Sequence, residues 1–456
     1  MNPIQELKEE HMSQAVKNRG WSVTAAGTGI NLALGILYTW SIFKGSIKQS
    51  IEAGGAGSFN WELSKLNDPY AVCCIVFAFA MILAGKCQDK MGPKITAFIG
   101  GIMVGLGFIW ISQTTSYTAW VLGFGVLAGT GIGFGYSSAT PPALKWFPAA
   151  KTGLIAGLVV AGFGLASVYI APLATYLLGV WGLQKAMMFF GIAFIAVVCG
   201  LSMFLKNPPQ GYVPEGSAAG TASKAAPAAD NDQPPSVMLK SAEFWKLWFV
   251  YFIGAGAGLM VIGNVAGMAK KSMGEAAFLV VAIMAVGNAG GRIIAGVLSD
   301  KIGRSNTLIT MLLFQTILML SCVPVVGSEN SSALVLVLLA TFIGFNYGTN
   351  LSLFPSFAKD MWGLKNLGIN YGILFTAWGV GGFVMSRLSQ MVMATTGSYS
   401  SSFIIAAILL AVGIIVTLTM KKATKPAQEP EGAVFQPQLG VTMADGGEKI
   451  KKGKKK

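Results

Sequence analysis

Charge, histidine and cysteine are all scarce in this sequence. Of its 456 residues only 11% are charged, against about 25% in an ordinary soluble domain. With 53% hydrophobic residues and a mean hydropathy of +0.61, the chain has too little polar side chain to cover a water-exposed globule. The same composition excludes a disordered chain. The one histidine, His11, lies in a polar N-terminal segment, which rules out a histidine-based metal site or catalytic triad. The five cysteines, Cys73, Cys74, Cys87, Cys199 and Cys322, lack metal-ligand spacing and sit in or beside apolar runs. They read as free thiols packed as small apolar groups, and a secreted disulfide scaffold is excluded. Residues 1–20 hold no apolar core or cleavage site, so they are not a signal peptide.

What the chain has in quantity is apolar runs. Those long enough to cross about 30 Å of hydrocarbon at about 1.5 Å per residue occur twelve times, at 21–43, 69–85, 95–113, 118–144, 152–178, 184–205, 244–269, 276–299, 306–327, 331–357, 366–393 and 400–420. The expectation is an all-α membrane protein of twelve transmembrane helices. Residues 206–243, rich in Pro, Ala, Gly, Ser and Asp, read as a flexible linker between six spans and six spans. The predicted layout is a cytoplasmic segment 1–20, a bundle 21–205, the linker 206–243, a bundle 244–420 and a basic tail 421–456. The net charge of +14 is inflated by that tail, whose last eight residues hold six lysines; it reads as solvated or lipid-facing, not as nucleic-acid binding.

Orientation follows from the basic residues. With the N-terminus inside, 24 of the 33 fall on the cytoplasmic side, and six, Lys44, Lys48, Lys65, Lys185, Lys270 and Lys271, fall in outside loops. Both termini are therefore expected in the cytoplasm of a cell-membrane protein.

The two halves repeat. Gly85-Lys-Cys-Gln-Asp89-Lys90-Met-Gly92 after the second span matches Gly296-Val-Leu-Ser-Asp300-Lys301-Ile-Gly303 after the eighth, at an offset of 211. The same offset relates Phe134-Gly-Tyr136 to Phe345-Asn-Tyr347, and an offset of 215 relates Gly153 and Gly157 to Gly368 and Gly372. Six spans is an even number, so both halves enter the membrane the same way and are related by an axis along its normal. Six plus six spans with this paired loop resemble the major facilitator superfamily over about residues 15–422. That resemblance implies a transporter working by alternating access. It also implies a gating role for Asp89, Lys90, Asp300, Lys301 and Arg304.

Inside the spans there is no mid-span carboxylate. Charge at mid-span costs about 2.5–3.5 kcal/mol or more, so the two arginines there need a reason. Arg387 lies near a span end and can snorkel. Arg292 in the eighth span cannot, and Asn288 shares its helix face four residues earlier. Lacking a carboxylate partner, its guanidinium fork suits a substrate carboxylate. Its repeat equivalent is Met81, and that of Asn288 is Phe77, so one half alone is expected to carry the buried cation, which fits a monoanion. Tyr38, Tyr136, Tyr347 and Trp378 are expected to shape the pocket. The glycine clusters at 125–135 and 153–164 lie inside spans, where they read as close helix contacts and not as phosphate-binding loops.

Further segments narrow the resemblance. Asn18-Arg19-Gly-Trp21, Gly35-Ile-Leu-Tyr38-Thr-Trp40, Lys145-Trp-Phe-Pro148, Leu353-Phe-Pro-Ser356, Asn370-Tyr-Gly372 and the Arg292 segment are similar to the oxalate–formate antiporter family and the monocarboxylate transporters. The resemblance implies that Arg292 binds the substrate carboxylate. Two departures matter. Trp378 stands where the oxalate exchanger has a lysine, and Asn288 where animal-type monocarboxylate transporters have an aspartate. The expected activity is secondary transport of small monocarboxylates such as L-lactate or pyruvate, with a proton, the alternative being carboxylate exchange of the oxalate–formate type. The chain is expected to be no enzyme, to need no cofactor or metal, and to work as a monomer whose partners are substrate, proton and lipid.

Overall fold

A computed structural model describes residues 18–148, 152–209, 212, 214, 233–327, 332–363 and 366–420. His11, most of the linker and the basic tail lie outside the described residues. What is described is helical almost throughout. Eleven helices among the described residues are long and apolar enough to cross a membrane. One of them, Leu154–Ser202, has 49 residues, about 74 Å of helix, more than twice what one crossing needs. The chain turns within it at Gly182, whose φ of 76° is outside the helical region. It is the fifth and sixth spans run together, and the protein is a multi-pass membrane protein of twelve spans.

The turn glycines explain why the repeated loop ends in glycine. Gly92 (φ 81°) follows the second span and Gly303 (φ 88°) the eighth, 211 residues apart. The fifth-to-sixth and eleventh-to-twelfth turns use Gly182 (φ 76°) and Gly397 (φ 71°), 215 residues apart. An L side chain in this region costs about 1–2 kcal/mol. A Cβ at Gly303 would meet no atom within 4 Å, so Gly303→Ala should show the backbone cost alone. A loss of about 1–2 kcal/mol in denaturant-unfolding stability with uptake retained is expected.

Two boundaries differ from expectation. The first span does not stop at residue 43. It runs from Gly20–Leu34 through a tighter turn at Gly35–Thr39 into Trp40–Ala53. Lys44 and Lys48 are therefore helical, not in an outside loop, and Lys44 is buried. The helix persists past the apolar run because its inner face, Phe43, Lys44 and Ile47, packs inside the protein. In the second half the seventh span breaks at Asn264, between Ala242–Ile262 and Val265–Met273. The described part of the expected linker also holds a short helix, Pro235–Met238, and Gln233 bonds Trp362 backbone to backbone at 3.1 Å.

Side chains sort as a lipid solvent requires. Leu83, Tyr176, Ile415 and Leu418 are exposed on the outside of the bundle, whereas Trp40, Trp120, Trp146 and Trp378 are buried. All five cysteines are free, and all but Cys87 are buried. With an even number of spans, Gly20 and Leu418 share one face of the protein, here the termini face. The loop after the first span and the Gly397 turn lie at the opposite face.

Candidate functional site

The eighth span, Phe278–Ile302, is sided in an unusual way. Ile293 and Ile294 are 58% and 53% exposed, while Asn288 and Arg292 are 2% and 6% exposed. The apolar residues face out and the polar pair faces in. A glycine seam draws the tenth span against it. A Cβ at Gly287 or Gly291 would collide with the carbonyls of Thr341 or Phe345, and one at Gly344 or Gly348 with those of Met284 or Asn288. These are close helix contacts at i, i+4 spacing on both partners. The first half uses the same device, Gly129 and Gly133 lying against the backbone of Cys73 and Phe77.

Arg292 is held by hydrogen bonds on two sides. Its Nε donates to Asn288 Oδ1 at 3.0 Å, and its Nη1 to the carbonyl of Val160 in the fifth span at 2.9 Å. Nη2 is buried and makes no hydrogen bond of good geometry. The hydroxyls of Tyr38, Tyr136 and Tyr347 lie within electrostatic reach of the guanidinium. No ion pair forms at Arg292 among the described residues. Tyr38 and Tyr347, from opposite halves, share a 2.6 Å hydrogen bond, and the Trp378 indole donates to Tyr347 Oη at 2.8 Å. All six residues expected at the pocket thus meet around one point. Sequence reasoning missed the rings that complete the box. Phe77 packs on Tyr136, Phe163, Phe375 and Trp378, and Phe375 stacks on Trp378 at 5.0 Å. The repeat carried a signal for Phe77, which occupies the position of Asn288 in the other half.

Beside this cluster lies a cavity of about 10 Å³, lined by Tyr38, Ser167, Met284 and Asn288 on one side and by Ile262 and Val265 on the other. It has room for about one water. Farther toward the opposite face lies a polar layer built from both halves. Lys44 Nζ donates to Asn264 Oδ1 and, at 3.2 Å, to Gln390 Oε1. Asn67 Nδ2 and Tyr399 Oη reach the same Asn264 oxygen, each at 3.1 Å. Next to it Arg387 pairs with Asp68 at 3.2 Å, and Tyr117 donates to Asp68 at 2.6 Å. Arg387 is thus an ion-pair partner across the halves, not only a snorkelling end charge. The expectation of one buried cation is corrected as well: Lys44 is a second, in the first half.

At the termini face the side chains of Asp89 and Asp300 lie outside what is described. Lys90 and Lys301 are exposed. Arg304 binds Asp360 at the end of the tenth span at 3.0 Å, and also Ser299.

A family model described as Major Facilitator Superfamily matches residues 21–386 and 272–452. An uncharacterised MFS-type transporter of Escherichia coli, YhjX, is 28% identical over 79% of this chain and 85% of its own. The oxalate:formate antiporter of Oxalobacter formigenes is 26% identical over 90% of this chain and 94% of its own, and human monocarboxylate transporter 11 is 24% identical over 89% and 83%. The crystal structure of a D-xylose–proton symporter superposes with a TM-score of 0.67 at 15% identity, covering 89% of this chain and 98% of that one.

Proposed function

Since the chain belongs to the Major Facilitator Superfamily, we propose that it is a secondary transporter of small monocarboxylates such as L-lactate or pyruvate, working by alternating access with a proton. The observation that carries the reading is Arg292, a buried guanidinium whose Nη2 makes no hydrogen bond of good geometry, with three tyrosine hydroxyls in reach and no carboxylate partner among the described residues. A carboxylate of the substrate supplies the missing charge in a fork geometry. Tyr38, Tyr136 and Tyr347 bond its free lone pairs or a 2-hydroxyl, and the rings of Phe77, Phe375 and Trp378 wall the site. The names of two relatives, an oxalate:formate antiporter and a monocarboxylate transporter, support the carboxylate class.

Asn288 cannot titrate, so the proton is assigned to the substrate's own carboxyl, relayed by hydroxyls. The termini face is read as cytoplasmic in the cell membrane, with Asp89, Lys90, Asp300, Lys301 and Arg304 gating that side. The chain is read as a monomer and not an enzyme, organised as the halves 21–205 and 244–420.

The test is uptake of labelled L-lactate into proteoliposomes. Uptake driven by an inward proton gradient is expected, and pH-independent uptake would overturn the coupling. Carboxylate exchange remains the second reading, favoured by the absence of a mid-span carboxylate. Fast counterflow without any pH gradient, with no gradient-driven uptake, would establish it instead. Tyr347→Phe removes the acceptor of the Trp378 indole and the hydrogen bond to Tyr38. One buried donor left unpaired is worth about 1–3 kcal/mol. KM for lactate is expected to rise about tenfold, read from initial rates.

A further inference from the structure

A charged clasp joins the halves at the opposite face. Ser386, Arg387 and Gln390 fall on one side of the eleventh span, Leu367–Thr396. They grip the start of the second span, where Asn67 caps the helix and Asp68 opens it. Gln390 Nε2 donates to the Leu63 carbonyl at 2.6 Å and Asn67 Nδ2 to the Ser386 carbonyl at 3.2 Å, while Arg387 Nε lies 3.2 Å from Asp68 Oδ1. We propose that Asp68 is a proton-binding residue of the opposite-face gate: a proton taken up there displaces Arg387 and lets the second and eleventh spans part. The inference rests on the alternating-access part of the functional reading and holds for whichever acid is carried.

The pair is lopsided. The Asp68 side chain is 4% exposed and that of Arg387 45%. A guanidinium leaving this pair passes easily into water. The carboxylate left behind is a buried charge without its partner, which is strongly unfavourable. Tyr117 covers Oδ2 with a 2.6 Å hydrogen bond, whereas Oδ1 is buried and makes no hydrogen bond of good geometry. Oδ1 therefore depends on the charge of Arg387. A proton on Oδ1 removes that dependence and leaves the Tyr117 bond to Oδ2 in place. Proton and guanidinium thus compete for one oxygen, and the clasp opens once Asp68 is neutral. The proton enters from the opposite face and returns there when Arg387 comes back, so it is distinct from the proton carried with the substrate.

The groups that face Asp68 leave it this role. Besides Tyr117 from the fourth span and Arg387 from the eleventh, they are Glu62 and Lys65 from the turn before the second span. Those two pair with each other at 2.7 Å, and Lys65 Nζ lies 5.8 Å from the centre of the Tyr117 ring. From the first span, Lys44 connects to the clasp through Asn264, whose oxygen also receives Asn67, and Lys48 pairs with Glu52 at 3.4 Å.

The internal repeat makes the clasp one-sided. At the offsets of 211 and 215, Asp68 corresponds to Leu279 in the eighth span and Arg387 to Pro172 in the fifth. The fifth and eighth spans also meet across the halves, through Val160 and Arg292, but the positions equivalent to the ion pair carry no charge for a proton to remove. The switch belongs to the second and eleventh spans.

The experiment measures the distance between spin labels at Ala53→Cys and Ala394→Cys in the purified full-length protein. Both positions are exposed at the opposite face, one on each half, and Cys87→Ser removes the one cysteine that is not buried. With Asp68 and Arg387 intact, lowering the pH from about 8 to about 5 should raise the long-distance population at least about threefold. Asp68→Asn should hold that population within about twofold of the intact protein's acidic value at both pH values. Arg387→Gln should reverse the response, acid then favouring the short distance, because a proton relieves the unpaired carboxylate of the shut state. A pH-independent distance with the pair intact, an Asp68→Asn population at the intact protein's neutral value, or an unaltered pH response in either variant overturns the proposal. Should one variant fail to reach the membrane, the other is read by its own criterion. Lactate uptake beside a pH-independent distance overturns this inference alone. A pH-dependent distance in a protein that carries no monocarboxylate overturns the substrate reading and leaves the gate standing.

Discussion

Replacing Arg292 by lysine is expected to lower kcat/KM for lactate uptake by at least about 100-fold, with normal membrane insertion. That fold-change is about 2.8 kcal/mol, within the range for truncating one partner of a buried, hydrogen-bonded charge pair. Lysine keeps the charge and loses the fork. An ammonium could reach Asn288 or Val160, but it cannot hold both and still present a second parallel donor to a carboxylate. Arg292→Ala should lose at least as much, because the tyrosine hydroxyls then face an apolar gap. Insertion checked by tryptophan fluorescence and size exclusion separates this from misfolding. Uptake within threefold of wild type in Arg292→Lys would show that charge alone suffices and would remove the bidentate geometry from the reading.

The second large effect concerns glycine. Gly291→Ala is expected to abolish uptake and to destabilise the purified protein by more than about 3 kcal/mol. The added methyl would overlap the Phe345 carbonyl, a backbone atom that cannot rotate aside. Overpacking of a tight contact usually costs about 1–3 kcal/mol, occasionally more, and here relief requires the eighth and tenth spans to separate. That separation moves Asn288 and Arg292 away from Tyr347 together. Gly296→Ala is the matched control. It lies on the same helix, and a Cβ there meets nothing within 4 Å, so both uptake and stability should stay close to wild type. Equal behaviour of the two variants in thermal unfolding and uptake would refute the seam.

The architecture was legible because membrane spans follow from a single physical constraint. Backbone polar groups must be satisfied inside the lipid, so apolar length alone marks a helix. Arg292 stood out for the same reason in reverse, as a charge where charge is costly. Its neighbours Tyr136 and Tyr347 were picked out by the repeat. Lys44 was misread because the rule weakens at helix ends. The stretch Lys44-Gly-Ser-Ile-Lys-Gln looks like loop by composition, and only its packing keeps it helical. A helical-face reading carried the signal: Trp40, Lys44 and Ile47 fall on one face, and all three are buried. Asn264 had no comparable signature, since a lone asparagine in an apolar run does not say which helix will supply its partners. The Asp68–Arg387 pair was invisible for that reason too, joining residues from opposite halves.

The hydroxyl-to-hydroxyl bridge between Tyr38 and Tyr347 has a bearing on energetics of the whole cycle. It joins the halves directly through one side chain from each. The Val160 carbonyl likewise gives the guanidinium a resting place. Any motion that parts the halves at this point must first break the Tyr38–Tyr347 bond, so its strength enters the barrier to such a motion.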